Sequence, residues 1–259
     1  MKDELMTESS KALDFAAEIG HLMLENGAEI NRVEETMERI STHFGVDTKD
    51  FFVVSNAIFT TGNSFARVQN VAMKGSQLEK VIEASRLSRD VVAGKYTLEQ
   101  AWVRLEEIKN IPMEKPWVQI LASALGSAGF CAIFSGSLID CGVSAVIGAI
   151  LWAVIIILDR HRFSKVFCNM FGGALVAALC LTCIECGIGE SLSHVLIGAL
   201  IPLVPGVSFT NGIKDIANED YIAGATRLID SLLVFLCIAM GVSIVLITYG
   251  HITGGMITL

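Results

Sequence analysis

Residues 192–215 read LSHVLIGALIPLVPGVSFTNGIKD, an apolar run with a helical pattern that is then interrupted. The interruption consists of two prolines and a glycine, Pro202, Pro205 and Gly206. A proline removes a backbone donor, so the break frees peptide groups at a depth where hydrocarbon cannot hydrogen-bond them. Broken helices of this kind are typical of the substrate sites of secondary transporters. The stretch therefore predicts a substrate pathway inside a membrane, lined by Pro205, Gly206, Ser208, Thr210, Asn211 and Asp215.

Charge is unevenly distributed along the 259-residue chain. Residues 1–115 hold 14 Lys and Arg and 19 Asp and Glu, whereas residues 116–259 hold only 5 and 8. We therefore predict an α-helical membrane protein in which a soluble α+β cytoplasmic domain, 1–115, precedes a transmembrane domain, 116–259. The net charge of −8 comes without a basic stripe, so nucleic acid is not an expected partner.

The first domain shows the patterns of four amphipathic helices and one β-hairpin. The helices are predicted at about 9–26, 29–43, 76–93 and 97–109, and Gly27 and Gly45 end the first two. The hairpin is predicted to pair residues 51–60 with residues 64–73 around the turn Thr61-Gly62-Asn63. A linker at 111–116 follows the last of these helices.

The second domain has five apolar segments of nearly spanning length. A bilayer core of about 30 Å needs roughly 20 apolar residues in a helix. The segments lie at about 117–134, 141–158, 166–184, 192–209 and 229–249, and the fourth carries the Pro-Gly break. The sequence therefore predicts five transmembrane helices in contact with a lipid bilayer.

The basic residues of the loops test the orientation of these spans. If the first domain is cytoplasmic, the loops 159–165 and 214–227 fall inside, and both contain Lys or Arg. The loops near Asp140 and at 185–190 then fall outside, and both lack Lys and Arg. This agrees with the positive-inside rule. We therefore predict a multi-pass protein of the plasma membrane with a cytoplasmic amino terminus and an external carboxyl terminus at Leu259. The start of the chain shows no cleavable signal peptide.

Charged residues in or beside the spans are the second set of candidates. An ion near the centre of a membrane helix costs about 2.5–3.5 kcal/mol on insertion scales, so such residues often have a function. Arg227 and Asp230 share a helix face and can neutralise each other, either in a transport pathway or as interfacial anchors. Asp140 and Asp230 are candidates for proton coupling. Asp215 can bind a substrate ammonium group or can be a helix-surface charge.

Acidic and basic residues also crowd the junction of the first two helices. They are Glu25, Glu29, Arg32, Glu34, Glu35, Glu38 and Arg39. Paired glutamates can act as acid and base, but charges three or four residues apart are also typical of a solvated helix face. The sequence contains no Walker loop, dinucleotide-binding glycine motif, zinc-protease motif or serine-hydrolase motif. We therefore predict that the protein is not an enzyme, and the alternative is a membrane-anchored enzyme or sensor acting through residues 1–115.

All seven cysteines fall in the predicted membrane domain, and an odd number cannot all pair within one chain. Cys180, Cys183 and Cys186 have the spacing of iron–sulfur ligands, but the usual further ligand is missing and the helix is apolar. A buried cysteine behaves as a small hydrophobe. The sequence predicts no structural disulfide, no metal site and no cofactor.

Three blocks of sequence together resemble the threonine/serine exporter family. They lie at 26–36 (NGAEINRVEET), at 134–140 (FSGSLID) and at 205–227. The motif residues of the family fall on Gly27, Ala28, Arg32, Val33 and Glu34, on Gly136, Ser137 and Asp140, and on Pro205 and Gly206. The resemblance covers nearly the whole chain. It implies a motif in the cytoplasmic domain that includes Gly27, Glu29, Arg32 and Glu34.

The resemblance implies an exporter of a small polar metabolite of the threonine/serine class, with dicarboxylates such as succinate as the second possibility. We expect free amides after Pro205 and a helix start near Asn211 to face the carboxylate that both substrate classes carry. Full-length members have about twice as many spans, so the chain resembles the larger subunit of the split form. The implied partner is a small, separately encoded membrane protein, which we expect to insert with inverted orientation.

Overall fold

A computed structural model describes residues 2–46, 51–62, 65–72 and 77–253 of the chain. The chain divides into two compact units. The first comprises Met1–Met113 and Gly206–Ile229, and the second comprises Glu114–Pro205 and Asp230–Leu259. This division differs from the predicted one at 115, because residues 206–229 are bound to the amino-terminal helices by the contacts described below. The predicted external terminus, Leu259, lies outside the described residues.

The first unit begins with helix α1 (Lys2–Glu25) and helix α2 (Ile30–His43). Gly27 has φ +85°, a left-handed conformation that a glycine adopts without Cβ strain, and it stops α1 as predicted. The amides of Gly27 and Ala28 donate to the carbonyls of Leu24 and Met23 at 3.1 and 3.0 Å, which satisfies the end of the helix. The predicted apolar face of α2 is confirmed as buried, at Ile30, Val33, Met37 and Ile40.

A three-stranded antiparallel sheet follows, in the order β1-β2-β3. Its strands are β1 (Phe51–Val54), β2 (Ala57–Gly62) and β3 (Phe65–Asn70). The predicted single strand at 51–60 is wrong, because the chain turns at Ser55 and Asn56 and Phe51 pairs with Thr60. Serine and asparagine favour turns through their local side-chain hydrogen bonds. Antiparallel pairing of β2 with β3 agrees with the predicted hairpin, but Asn63 of its turn lies outside the described residues.

Helices α3 (Leu78–Val92) and α4 (Leu98–Lys109) complete the amino-terminal part of this unit. Thr97 begins α4 through a reciprocal capping box, in which its side chain and that of Gln100 each accept the other's backbone N–H. The core lies between the helices and the sheet. Phe15, Ile19, Met37, Ile58 and Leu105 are among its fully buried side chains.

The second unit consists of membrane-type helices. They are α5 (Pro116–Ile133), α6 (Leu138–Arg160), α7 (Lys165–Glu185), α8 (Leu192–Leu200) and a short 3-10 helix (Ile201–Leu203). The chain then forms α9 (Gly206–Ala217) and α10 (Tyr221–Thr253), and α10 contributes its residues from Asp230 onward to this unit. Within the described ranges, four helices are long and apolar enough to cross a membrane, or five if α8, the 3-10 helix and α9 count as one interrupted span.

The predicted break of the fourth span is confirmed. The α-helix ends at Leu200, the 3-10 turn contains Pro202, and Val204 is extended with φ −67° and ψ 125°. Helix α9 then starts at Gly206. The helical start expected near Asn211 is therefore wrong by more than one turn, because the break is complete once Pro205 has been passed.

Helices α7 and α10 pack backbone against backbone in the second unit. A Cβ atom on Gly241 would lie 2.0 Å from the carbonyl oxygen of Met170, and one on Gly173 would lie 2.6 Å from that of Ile238. Small residues permit this approach between membrane helices, where dispersion contacts replace a hydrophobic driving force.

Candidate functional site

The first unit contains a buried ion pair between Asp215 of α9 and Arg227 of α10. The Nη1 atom of Arg227 lies 3.2 Å from Oδ2 of Asp215, and the two side chains are only 3% and 1% exposed. A lone charge at such a depth is very unfavourable, so each of these groups depends on the other. The pair is the centre of the candidate site.

A close helical hairpin brings the two charges together. The chain turns between α9 and α10 at Glu219, which has φ +71°. Beside the turn, a Cβ atom on Gly224 would lie 2.8 Å from the carbonyl oxygen of Gly212. Because Gly224 has no side chain, α9 and α10 can approach closely enough for Asp215 and Arg227 to meet.

The ion pair is anchored to the junction of α1 and α2. Arg227 donates from Nη2 to the carbonyl oxygen of Ala28 at 2.8 Å. Asn211 donates from Nδ2 to the carbonyl oxygen of Gly27 at 3.0 Å. The backbone amide of Ile30, at the start of α2, donates to the carboxylate of Asp215, which is a favourable place for an anion.

A second ion pair lies at the edge of the same cluster. The Nζ atom of Lys214 is 2.5 Å from Oε1 of Glu29. Lys214 is 54% exposed and Glu29 is 31% exposed, so solvent screens this pair more than the buried one. Residues 27–30 and 211–227, which stand far apart in the sequence, thus form one polar cluster within the first unit.

This arrangement corrects the predicted pairing of Arg227 with Asp230. Oδ2 of Asp230 lies 2.7 Å from Nζ of Lys165, and both side chains are more than half exposed. Helical spacing placed Arg227 and Asp230 on neighbouring positions, but the buried carboxylate of Asp215 is the partner that Arg227 contacts in α9. Helical spacing relates only residues that are close in the sequence, so it does not predict a partner on another helix.

The other residues predicted for the substrate pathway have varied surroundings. The Thr210 hydroxyl donates within its own helix to the carbonyl oxygen of Gly206 at 2.8 Å. Pro205 and Ser208 are partly buried, and Gly206 is exposed with open space where a Cβ would lie. Asn211 and Asp215 both belong to the polar cluster, where Asn211 contacts Gly27 and Asp215 contacts Arg227.

The remaining motif residues of the first unit lie at its margin. Arg32 is exposed. Glu34 accepts a hydrogen bond from the backbone amide of Val53 at 3.1 Å. Burial raises the pKa of Glu34, and the negative charges of Asp220 and Glu38 add to the rise, against the lowering effect of the Val53 hydrogen bond. Burial also raises the pKa of Asp220.

Asp140 is buried at the start of α6 and accepts three backbone hydrogen bonds. One oxygen accepts from the Ser137 amide at 3.3 Å, and the other accepts from the amides of Glu190 and Ser191 at 2.8 and 3.3 Å. Ser137 completes a capping box by accepting from the amide of Asp140. These contacts tie the loop before α8 to the start of α6. The proton-coupling role of Asp140 stays a prediction.

We expect Asp140→Asn to destabilise the second unit by about 1–3 kcal/mol, because an amide nitrogen cannot accept from the backbone donors that it would face. Thermal unfolding of the detergent-solubilised chain measures this effect. The matched control is Asp159→Asn at the other end of the same helix, which should leave the midpoint nearly unchanged. Equal midpoints for the two variants would contradict the capping role.

A cavity of about 320 Å³ adjoins the break in the second unit. Its lining comes from α5, α6 and the 3-10 turn, and consists of Gln119, Ala122, Ser123, Gly126, Trp152, Ile201 and Pro202. The Trp152 indole donates to Oε1 of Gln119 at 3.1 Å, and the Ser123 hydroxyl donates to the carbonyl oxygen of Gly148 at 2.8 Å. None of these residues was among those predicted to line the substrate pathway. The sequence feature that could have indicated this cavity was Gln119, a carboxamide side chain in the mainly apolar helix α5.

Metal-binding chemistry has no support in the part of the chain that the structure describes. No three His, Cys, Asp or Glu side chains converge there in a way that could hold an ion. The seven cysteines are free thiols, with Cys180 buried, Cys183 partly buried and Cys186 exposed.

Comparison with known proteins adds a family and several relatives. The profile of the family described as "Putative threonine/serine exporter" matches residues 14–249. The chain is 21% identical over 249 residues to the probable threonine/serine exporter of Mycobacterium tuberculosis, covering 93% of this chain and 46% of that protein. It is 22% identical over 239 residues to pheromone-regulated membrane protein 10 of Candida albicans, covering 87% of this chain and 21% of that protein.

A third relative is matched over nearly its full length. The chain is 23% identical over 256 residues to the probable succinate transporter subunit YjjP of Escherichia coli, covering 95% of this chain and 98% of that protein. The chain thus spans less than half of the M. tuberculosis relative and nearly all of the E. coli one. No solved structure matches the chain.

Proposed function

Because the chain belongs to the threonine/serine exporter family, we propose that it is the larger subunit of a two-component secondary transporter. In this proposal it exports a small polar metabolite that carries a carboxylate, of the threonine/serine class, across the plasma membrane. The observation that carries the proposal is the broken fourth span with a cavity beside it. A simple anchor would need only one uninterrupted apolar helix.

The cavity offers a specific hydrogen-bonding group for the substrate. The Trp152 indole donates to Oε1 of Gln119, and the Gln119 amide nitrogen donates one N–H to the carbonyl oxygen of Glu114 at 2.7 Å. The second N–H of this amide is the donor that is left for another acceptor. A substrate carboxylate is such an acceptor, and a mostly apolar lining strengthens the interaction by excluding water. We therefore propose that the substrate contacts Gln119, which lies on α5 and lines the cavity together with Pro202 of the 3-10 turn. The residues from Gly206 onward hold the polar cluster of the first unit.

The requirement for a partner rests on the lengths of the relatives. The chain matches 46% of an exporter that is one longer polypeptide, and 98% of a protein named a transporter subunit. If the interrupted fourth segment counts as one span, the chain has five spans. Five spans would place the two ends of this chain on opposite sides of the membrane. We propose that a small, separately encoded membrane protein inserts with inverted orientation and completes the pathway, with the first unit in the cytoplasm.

A dicarboxylate such as succinate is the second candidate substrate. The observation that favours it is the match to nearly the full length of the E. coli subunit named for succinate. Succinate and threonine both present a carboxylate to Gln119, so the cavity by itself does not choose between them. The choice depends on whether the transporter also recognises an ammonium group.

Reconstitution in liposomes tests this proposal. The chain is reconstituted alone and together with the proposed small membrane protein, and efflux of labelled L-threonine, L-serine and succinate is measured. We expect efflux of threonine and serine only when both proteins are present. Faster efflux of succinate would favour the second candidate, and efflux by the chain alone would refute the need for a partner. Absence of efflux for all three substrates would refute the proposed transport.

The substitution Gln119→Leu tests the proposed contact between Gln119 and the substrate. We expect efflux to fall by about tenfold or more, because one charge-assisted hydrogen bond to the substrate is lost while the apolar volume is kept. The control is Gln100→Leu on α4 of the first unit, which removes a capping contact but lies outside the proposed pathway. Efflux is normalised to the amount of folded protein reconstituted. Unchanged efflux in Gln119→Leu would remove Gln119 from the pathway.

A further inference from the structure

The outward face of the three-stranded sheet carries a row of apolar side chains. Phe52 of β1 is paired with Phe59 of β2, which is paired in turn with Val68 of β3. The neighbouring Val53 and Ile58 are buried in the core, so these three side chains point away from it. They are 55%, 38% and 64% exposed, and the two phenylalanine rings contact each other with centroids 5.9 Å apart. We call Phe52, Phe59 and Val68 the apolar row.

The surroundings of the apolar row are uncharged. The other outward side chains of the sheet that the structure describes are Val54, Ala57, Thr61 and Asn70, and none of these four carries a charge. When one face of an antiparallel sheet packs on a core, its other face is usually polar and meets water. An exposed apolar patch on that face therefore indicates contact with another apolar body.

The turn beside the apolar row is bound to the start of α10. The Ser55 hydroxyl, between β1 and β2, donates to the carbonyl oxygen of Ala223 at 3.2 Å, and both residues are buried. Phe52 stands three residues before Ser55 in the strand, a distance of about 10 Å. Helix α10 is apolar and long enough to cross a membrane. The apolar row therefore lies close to the entrance of a membrane-type helix.

The first turn of α10 belongs at the level of the lipid headgroups. The helix has 33 residues. At 1.5 Å per residue it is about 50 Å long, enough for a bilayer of about 40–45 Å including both headgroup layers. Tyr221 and Ile222 are exposed in this turn, and tyrosine is typical of the membrane–water boundary. Ala223 lies in the same turn, so the strands that contact it begin at the lipid surface.

We propose that the outward face of the sheet rests on the surface of the bilayer that α10 crosses. The side chains of the apolar row enter the boundary between headgroups and acyl chains, where amphipathic protein surfaces bury apolar groups by about 5–10 Å. The sheet thus docks the first unit on the lipid. The inference concerns this contact alone and does not depend on transport or on the substrate.

The size of the row favours lipid over a second copy of the chain. Its exposed parts amount to roughly 300 Å², given that a whole aromatic side chain offers about 150–250 Å². A stable protein–protein interface buries about 800 Å² on each partner, so the row is too small to hold a second copy. The bilayer needs no such area, because α10 already keeps the sheet beside it and makes the contact intramolecular.

Quenching of single tryptophans by brominated lipid tests the proposal in the full chain, in nanodiscs that hold one chain each. Trp102→Phe, Trp117→Phe and Trp152→Phe together remove the three tryptophans of the chain. Val68→Trp is then the reporter. Val103→Trp on α4 is the matched control, since Val103 is 63% exposed and α4 packs on α1 and α3.

The two reporters should respond differently to bromine on the acyl chains. We expect the emission of Val68→Trp to fall by about half or more, because the row would lie about 5–10 Å deep in the boundary. The emission of Val103→Trp should be unchanged. Phe59→Trp is a second reporter that exchanges one aromatic ring for another, which guards against local damage from Val68→Trp.

A charge placed in the row tests whether the row itself makes the contact. Phe52→Asp puts a carboxylate at a 55% exposed position of the row, and Ile82→Asp puts one at an equally exposed position of α3. We expect Phe52→Asp to remove most of the quenching of Val68→Trp, because an ionised carboxylate resists transfer from water to an apolar environment. Ile82→Asp should leave the quenching unchanged at the same melting temperature.

Three results would overturn the proposal. Equal quenching of Val68→Trp and Val103→Trp would show that the row has no special contact with lipid. Full quenching that persists in Phe52→Asp would show that the row does not make the contact. An unquenched Val68→Trp, whose emission shifts to shorter wavelength when several chains share a nanodisc, would show that a second copy covers the face.

Discussion

Arg227→Met should lower the free energy of unfolding of the first unit by about 3–5 kcal/mol, the usual effect of removing one partner from a buried ion pair. Methionine has nearly the length of arginine and fills the space, so the loss reflects charge rather than a cavity. Asp215 would remain 1% exposed with a charge that only backbone donors oppose. The carbonyl oxygen of Ala28 would lose its 2.8 Å hydrogen bond at the same time.

Urea unfolding followed by Trp102 fluorescence measures this effect in the first unit. Trp102 packs edge-on against Phe15 with ring centroids 5.4 Å apart, and Trp117→Phe and Trp152→Phe remove the signals of the second unit. Arg86→Met is the matched control, because Arg86 is 67% exposed and lies 3.7 Å from Glu83. It should change stability by no more than about 0.5 kcal/mol.

A double variant separates charge from general damage. Asp215→Leu combined with Arg227→Met removes both charges, and we expect it to be more stable than Arg227→Met alone, since replacing a whole buried pair by apolar residues is often nearly neutral. If Arg227→Met is as stable as Arg86→Met, the ion pair does not hold α9 and α10 to the amino-terminal helices. If the double variant is no better than the single one, the loss does not come from an unpaired charge.

Local chemistry was enough to predict where several elements end. Gly27 stops α1 because it adopts a positive φ, which glycine permits. Thr97 starts α4 because its hydroxyl accepts a hydrogen bond from the backbone N–H of Gln100. The break at Pro202 and Pro205 was predictable for the same reason, since proline cannot continue a hydrogen-bonded helix. These rules involve only residues that are neighbours in the sequence.

Features that depend on distant residues were not predictable in this way. Arg227 pairs with Asp215 because α10 turns back along α9, and a helical spacing rule proposed Asp230 instead. Gln119 and Trp152 are 33 positions apart and meet only when α5 and α6 pack. The turn at Ser55 and Asn56, which divides one predicted strand into two, competes with a strong run of β-forming residues on both sides.

Gly241→Ala should destabilise the second unit by about 3 kcal/mol, at the upper end of the usual range for an overpacked core. The added Cβ would lie 2.0 Å from the carbonyl oxygen of Met170 and 2.9 Å from the amide nitrogen of Ala174. Both atoms belong to the backbone of α7, so no side chain can rotate away. The helices α7 and α10 must separate, and the close packing at Gly173 against Ile238 loosens with them.

The same substitution in α5 is the control. A Cβ atom on Gly126 or Gly129 would meet nothing within 4 Å, so Gly126→Ala and Gly129→Ala introduce the identical methyl group without a clash. Alanine favours a helix over glycine by about 1 kcal/mol in soluble hosts, so these controls should be neutral or slightly stabilising. Thermal unfolding followed by size-exclusion chromatography in detergent compares the variants. A midpoint for Gly241→Ala equal to those of the α5 controls would show that α7 and α10 do not pack through Gly241, because only the backbone contact with Met170 distinguishes the two sites.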